Sequence, residues 1–244
     1  MVCYDGYLLS HTYMPFDVPD AGLVDRFLPP YRPAYSLDPK RPANLNTVTL
    51  PDVRPDIRGN MTHGYMEIRH LLHEDMLEAI PTLARVDEKF KASFGRGGNP
   101  YLEGYRCEDA EYVAVSLGSL SYHLRDVVDA LRNEGVKVGV MSVHLYRPFP
   151  AQIVADALKG FKGLVVFEKA LSYGYQGTLT SDLKSALYAS TWNAGRRPFV
   201  INYILGLGGR EITSPDLYHA LKQSCTPDGP DGNETRWIGL KFFG

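Results

Sequence analysis

Cysteine is scarce: the chain has three in 244 residues, Cys3, Cys107 and Cys225. They are far apart and odd in number, which speaks against a disulfide framework, and no Cys-x-x-Cys pair exists to hold zinc or an iron–sulfur cluster. The three thiols read as small buried hydrophobes or idle side chains. No run of about 18 consecutive apolar residues is present, so no membrane-spanning helix is expected. The first ten residues carry Asp5 and no basic segment, and do not read as a signal peptide. A dominant charge is lacking too: 26 Lys and Arg against 28 Asp and Glu leave a formal net charge of -2, with no general attraction to nucleic acid or anionic lipid. The expectation is a cytoplasmic, globular chain of one or two domains.

What is present divides along the chain. Residues 1–19 open with a short apolar run, Val2-Cys3-Tyr4 and Tyr7-Leu8-Leu9 around Asp5-Gly6, which fits a strand with a turn. Residues 20–108 begin with an arm holding seven prolines between Pro29 and Pro55. Proline removes amide donors and restricts its predecessor, so the arm should be extended and irregular. Its apolar content (Phe27, Leu28, Tyr31, Tyr35, Leu37) is too high for a free linker and fits an arm laid either on a partner subunit or on its own domain. Apolar residues at three- and four-residue steps then predict a helix over 65–94, ended by Gly95 and kinked or divided at Pro81.

Residues 109–226 alternate apolar runs (111–117, 136–145, 163–167, 199–205) with helical patterns, the last opened by Thr213-Ser214-Pro215-Asp216. Strands apolar throughout predict an α/β fold: a mostly parallel sheet with helices on both faces, preceded by an extended arm and a long helical segment. Residues 227–244 read as a loop tail with apolar Trp237-Ile238 and Phe242-Phe243 suited to docking.

In an open parallel sheet, ligands gather beyond the carboxyl ends of the strands. Gly118 and Ser119 open a helix and could receive an anion. Arg147 and Arg210 lie in later strand-end loops, and either an anionic ligand or the carboxylates of a neighbouring subunit would suit them. The interface is the preferred reading. Gly206-x-Gly208-Gly209 is no dinucleotide fingerprint, and no P-loop or Gly-x-Ser-x-Gly occurs. Ser10 and His11 are a candidate contact pair but lack a third group. His70 and His73 lack a nearby third metal ligand and read as a solvated helix face.

Several short motifs in fixed order carry a resemblance. Asp5-Gly6-Tyr7 with Ser10-His11-Thr12, Phe27-Leu28-Pro29-Pro30-Tyr31, Tyr146-Arg147-Pro148-Phe149-Pro150 and Gly206-Leu207-Gly208-Gly209-Arg210-Glu211-Ile212-Thr213 resemble the C-terminal part of the alpha subunits of 2-oxoacid:ferredoxin oxidoreductases. The match implies the end of a pyrimidine-binding domain, a linker, and a domain similar to the C-terminal domain of transketolases.

The resemblance implies a thiamine-diphosphate enzyme that converts a 2-oxoacid and coenzyme A to acyl-CoA and CO2, passing electrons through iron–sulfur clusters to ferredoxin. It implies no catalytic, cofactor or metal residue in this chain. Thiamine diphosphate, magnesium and the clusters would sit in partner subunits (the pyrimidine-binding domain, beta, gamma and iron–sulfur subunits). The front half of the alpha subunit has no match here, which implies a split or truncated subunit acting inside a complex. Pyruvate is the default substrate; an aromatic 2-oxoacid such as phenylglyoxylate or a branched-chain one stays open. The second reading is a free-standing α/β module binding an anionic ligand at its strand-end loops.

Overall fold

A computed structural model describes residues 2–6, 9–13, 15–30, 48–49, 63–190, 197–226 and 235–241. Most of the proline-rich arm and Phe242-Phe243 fall outside them. The chain divides into two compact units, one of residues 1–15 with 99–244 and the other of residues 16–98.

The smaller unit holds α1 (Ala21–Phe27), the two-residue strands β1 (Val48–Thr49) and β2 (His63–Gly64), paired in parallel, and α2 (Tyr65–Phe94). Helix α1 starts because the Asp20 side chain accepts from the Leu23 amide at 3.1 Å, satisfying one free donor of the first turn. Phe27 packs edge-on against Phe90 and Phe94 of α2. Pro81 does not divide α2, which runs unbroken for 30 residues to a left-handed Gly95. Here the break expected from proline yields to the continuous apolar spacing on either side of it. Residues 2–6 form no strand; the next described residues, Leu9–His11, make a single 3-10 turn.

The larger unit is a six-stranded sheet in the order β3-β5-β4-β6-β7-β8. Its strands are β3 (Leu102–Tyr105), β4 (Tyr112–Leu117), β5 (Val138–Val143), β6 (Gly163–Glu168), β7 (Phe199–Ile204) and β8 (Thr235–Trp237). Only β3 runs antiparallel. Both edges go beyond the sequence expectation. β3 lies upstream of the expected start of the α/β domain, and β8 lies in the stretch read as a loop tail.

The central strands are apolar on both sides because both sides are covered. Tyr112, Ala114, Val138, Val140, Val165, Phe167, Ile201 and Tyr203 face α3 (Ser119–Asn133) and α6 (Ser214–Ser224). Val113, Val115, Met141, Val143, Leu164, Val166 and Val200 face α4 (Ala151–Leu158) and α5 (Thr178–Ser190). Each fully buried Leu, Val, Ile or Phe among them is worth roughly 1.5–3 kcal/mol. Among the described residues no helix is long and apolar enough to cross a membrane.

Candidate functional site at the carboxyl ends of the strands

The strand order creates a topological switch at β4. The connection through α3 leads to β5 on one side; the connection through α4 leads back past β4 to β6 on the other. In open α/β sheets the crevice at such a point is the favoured ligand position. Gly118 after β4 and Lys169 after β6 flank it here, and the group that fills it is the chain's own Asp5. The Asp5 carboxylate accepts from the Ser119 amide at 3.0 Å and from the Ser119 hydroxyl. Lys169 Nζ lies 3.5 Å from its other oxygen. Gly118 adopts φ 61° and ψ -146°, a backbone open to glycine alone, and a Cβ there would lie 3.1 Å from Asp5. Burial disfavours the charged carboxylate, but the Ser119 hydrogen bonds and the Lys169 charge outweigh it, and the Asp5 pKa is lowered. The expected anion position at Gly118 and Ser119 is therefore occupied by an anion from within the chain.

A second carboxylate anchors the neighbouring loop. Glu168 ends β6 and is 3% exposed. It accepts from the Leu179 amide (2.8 Å), the Thr180 amide (3.2 Å), the Thr180 hydroxyl (2.6 Å) and Asn202 Nδ2 (2.9 Å). A buried carboxylate tolerates its desolvation only with such a full set of donors, and the first turn of α5 supplies three of them. Asn202 Oδ1 in turn accepts from the Gly177 amide at 2.8 Å. The loop 169–177 is thus tied down at its base, with Tyr173 and Tyr175 exposed at its tip.

The two predicted arginines differ. Arg147 is satisfied within the unit: it pairs with Asp182 at 2.8 Å, donates to the Tyr146 carbonyl and stacks over the Tyr146 ring at 4.1 Å. Arg210 is exposed and meets no carboxylate among the described residues. Ser10 and His11 hydrogen-bond to each other at 2.9 Å in an exposed turn; the residue that reaches Ser119 is Asp5 instead. Asp5 and Glu168 are the residues sequence reasoning passed over. In the sequence Asp5 stands in a turn and in the Asp5-Gly6-Tyr7 motif, with nothing to mark it as a partner of Ser119. An acid closing the apolar run Gly163–Glu168, one loop ahead of Thr178 and Thr180, was the available signal for Glu168.

Cys3, Cys107 and Cys225 are free and dispersed. His70 and His73 are exposed on α2. Among the described residues no three His, Cys, Asp or Glu side chains gather where they could hold a metal ion.

The fold and its strand ends define an open α/β domain whose switch-point crevice holds the Asp5 carboxylate of its own N-terminal segment. Residues 110–217 match the family described as pyruvate:ferredoxin oxidoreductase core domain II. The chain is 35% identical over 241 residues to the pyruvate synthase subunit PorA of Methanothermobacter thermautotrophicus, covering 99% of this chain and 57% of that relative. It is 33% identical over 244 residues to the ketoisovalerate oxidoreductase subunit VorA of Pyrococcus horikoshii, covering 99% and 58%. Among solved structures it matches a 2-oxoglutarate:ferredoxin oxidoreductase from Magnetococcus marinus, with 2-oxoglutarate, coenzyme A and succinyl-CoA bound there. That match has 18% identity and a TM-score of 0.38, and covers 66% of this chain and 24% of that one. The chain thus spans little more than half the length of the curated relatives it matches.

Proposed function

We propose that this chain is a subunit of a thiamine-diphosphate-dependent 2-oxoacid:ferredoxin oxidoreductase complex. The reaction joins a 2-oxoacid to coenzyme A, releases CO2 and passes two electrons to oxidised ferredoxin, giving acyl-CoA and reduced ferredoxin. The observation that carries this reading is the similarity to pyruvate synthase and ketoisovalerate oxidoreductase subunits along 99% of the chain. Pyruvate is the first substrate to try and a branched-chain 2-oxoacid the second, because those are the substrates the two relatives' names carry; phenylglyoxylate is the third. The chain's own part is structural: it packs against the cofactor-bearing subunits through its strand-end face, with thiamine diphosphate, magnesium and iron–sulfur clusters held by those partners.

The test is reconstitution. The chain alone should give no 2-oxoacid-dependent reduction of a viologen dye. Material co-purified from the native host should give reduction that needs both the 2-oxoacid and coenzyme A. Turnover by the isolated chain, or co-purification with no thiamine-dependent protein, overturns the reading.

A further inference from the structure

Arg210 stands apart from the other strand-end cations because its guanidinium forms no ion pair with a described residue. Its backbone amide closes a turn onto the Leu207 carbonyl at 3.3 Å. Its aliphatic stem lies along Gly239, where an added Cβ would come within 3.3 Å of Cγ and 3.8 Å of Cδ. The stem is therefore held while the guanidinium stays without a carboxylate among the described residues. Around it lies a cavity of about 600 Å³ lined by Leu207, Glu211, Asp216, Leu240 and Lys241, with the Gly208 and Gly209 backbone on one wall. A second cavity of about 170 Å³ shares Leu207, Arg210, Leu240 and Lys241 and runs on to Ile204, Leu205, Trp237 and Ile238. Polar and apolar groups both line the first; the walls of the second, narrower space are mostly apolar.

We propose that these joined cavities bind an aliphatic monocarboxylate. Its carboxylate pairs with Arg210, with Lys241 close by, and its hydrocarbon stem enters the narrower space beside Trp237. Arginine's planar fork suits a carboxylate bidentately. The lining decides the charge of the guest. Arg210 and Lys241 are offset by Glu211 and by Asp216, whose carboxylate already accepts from the Thr213 hydroxyl at 2.6 Å. With two cations and two carboxylates the rim is net neutral, so it holds a monoanion with less repulsion than a phosphate dianion. The same chemistry could come from a free short-chain acid or from an acidic side chain of another polypeptide. The inference stands on this cavity alone, so its failure leaves the subunit reading untouched.

The experiment is a titration of the full 244-residue chain, followed by Trp237 fluorescence in a Trp192→Phe background, which leaves Trp237 as the sole tryptophan, and by NMR. The probes are sodium valerate, valeramide, inorganic phosphate and the peptide N-acetyl-Leu-Glu-Leu-amide. Saturable valerate binding is expected, weakened about tenfold or more in Arg210→Gln and partly retained in Arg210→Lys, with no binding of valeramide. A peptide binding at least about tenfold more tightly than valerate, with the same dependence on Arg210, assigns the site to a polypeptide carboxylate; comparable or weaker peptide binding assigns it to a free acid. Equal binding of valeramide, binding of phosphate as tight as that of valerate, or undiminished binding in Arg210→Gln overturns the proposal. So does the absence of saturable binding by either carboxylate probe.

Discussion

Asp5 and Ser119 are 114 positions apart in the chain, yet the Asp5 carboxylate takes both the amide and the hydroxyl hydrogen of Ser119 at the first turn of α3. The contact ties the N-terminal segment to the crevice at the head of β4. Asp5→Ala should lower stability by about 0.5–1 kcal/mol, a value discounted for solvent screening of a partly exposed carboxylate. The sign with pH follows from the lowered pKa of Asp5. Its contribution is present above the unfolded carboxylate value of about 3.9 and is lost as pH falls through the lower folded value. Denaturant melts of both proteins at acidic and neutral pH check this. A difference between them that does not shrink at low pH would show that the carboxylate's charge is not what matters.

Gly118 supplies the backbone that makes that contact possible. Gly118→Ala forces an L side chain into φ 61°, ψ -146° and places a Cβ 3.1 Å from Asp5. A loss of about 1–3 kcal/mol is expected from the backbone strain alone. The strain should survive in an Asp5→Ala background, so the double variant should be less stable than Asp5→Ala by most of that amount, measured in the same melts.

The central strands were legible because four apolar runs between helical patterns leave little choice but a sheet covered on both faces. The edges were not. In β3 only Leu102 is buried, so four residues gave no run to recognise. β8 is three residues long and is defined by pairing with β7 rather than by its own composition. Of the candidate site, sequence position placed Gly118, Ser119, Arg147 and Arg210 at strand ends. It could not show which of them were already satisfied. That depends on partners distant in sequence, Asp5 for Ser119 and Asp182 for Arg147, and on Arg210 meeting no carboxylate among the described residues.

Glu168→Gln is the most damaging isosteric change expected at the strand ends. The four groups around Glu168 are all donors, and an amide brings a further NH2 donor into their midst while giving up one acceptor oxygen. A cost of about 2–4 kcal/mol is expected for the donors left unpaired in the interior. Gly177→Ala should act on the same network, because a Cβ there would overlap the Glu168 carboxylate. Thermal unfolding followed by circular dichroism checks both, and a loss of less than about 0.5 kcal/mol in Glu168→Gln would contradict the assigned role.

The two arginines should separate stability from binding. Arg147→Ala removes a half-exposed ion pair and a stacked ring contact, at a cost of about 0.5–1.5 kcal/mol. Arg210→Ala removes no ion pair with a described residue and should leave the melting curve within about 0.5 kcal/mol. Equal effects on the melt would mean that Arg210 is engaged within the fold after all.

Cys225 caps the end of α6 and packs against the core beside it. Burial pushes its thiol up from an ordinary value of 9.0 to about 12. Between those values the unfolded chain gives up the proton and the folded chain keeps it, so stability falls as pH rises, by up to about 1.4 kcal/mol per pH unit for this group. Other groups titrate in that range, so the measurable quantity is the difference between the wild type and Cys225→Ala. The wild type should lose its advantage steadily from pH 9 upward. The same burial predicts reactivity: at pH 8, iodoacetamide should label exposed Cys3 in the folded chain and reach Cys225 only under denaturing conditions. Rapid labelling of Cys225 in the folded protein would show that the end of α6 opens on the timescale of the reagent.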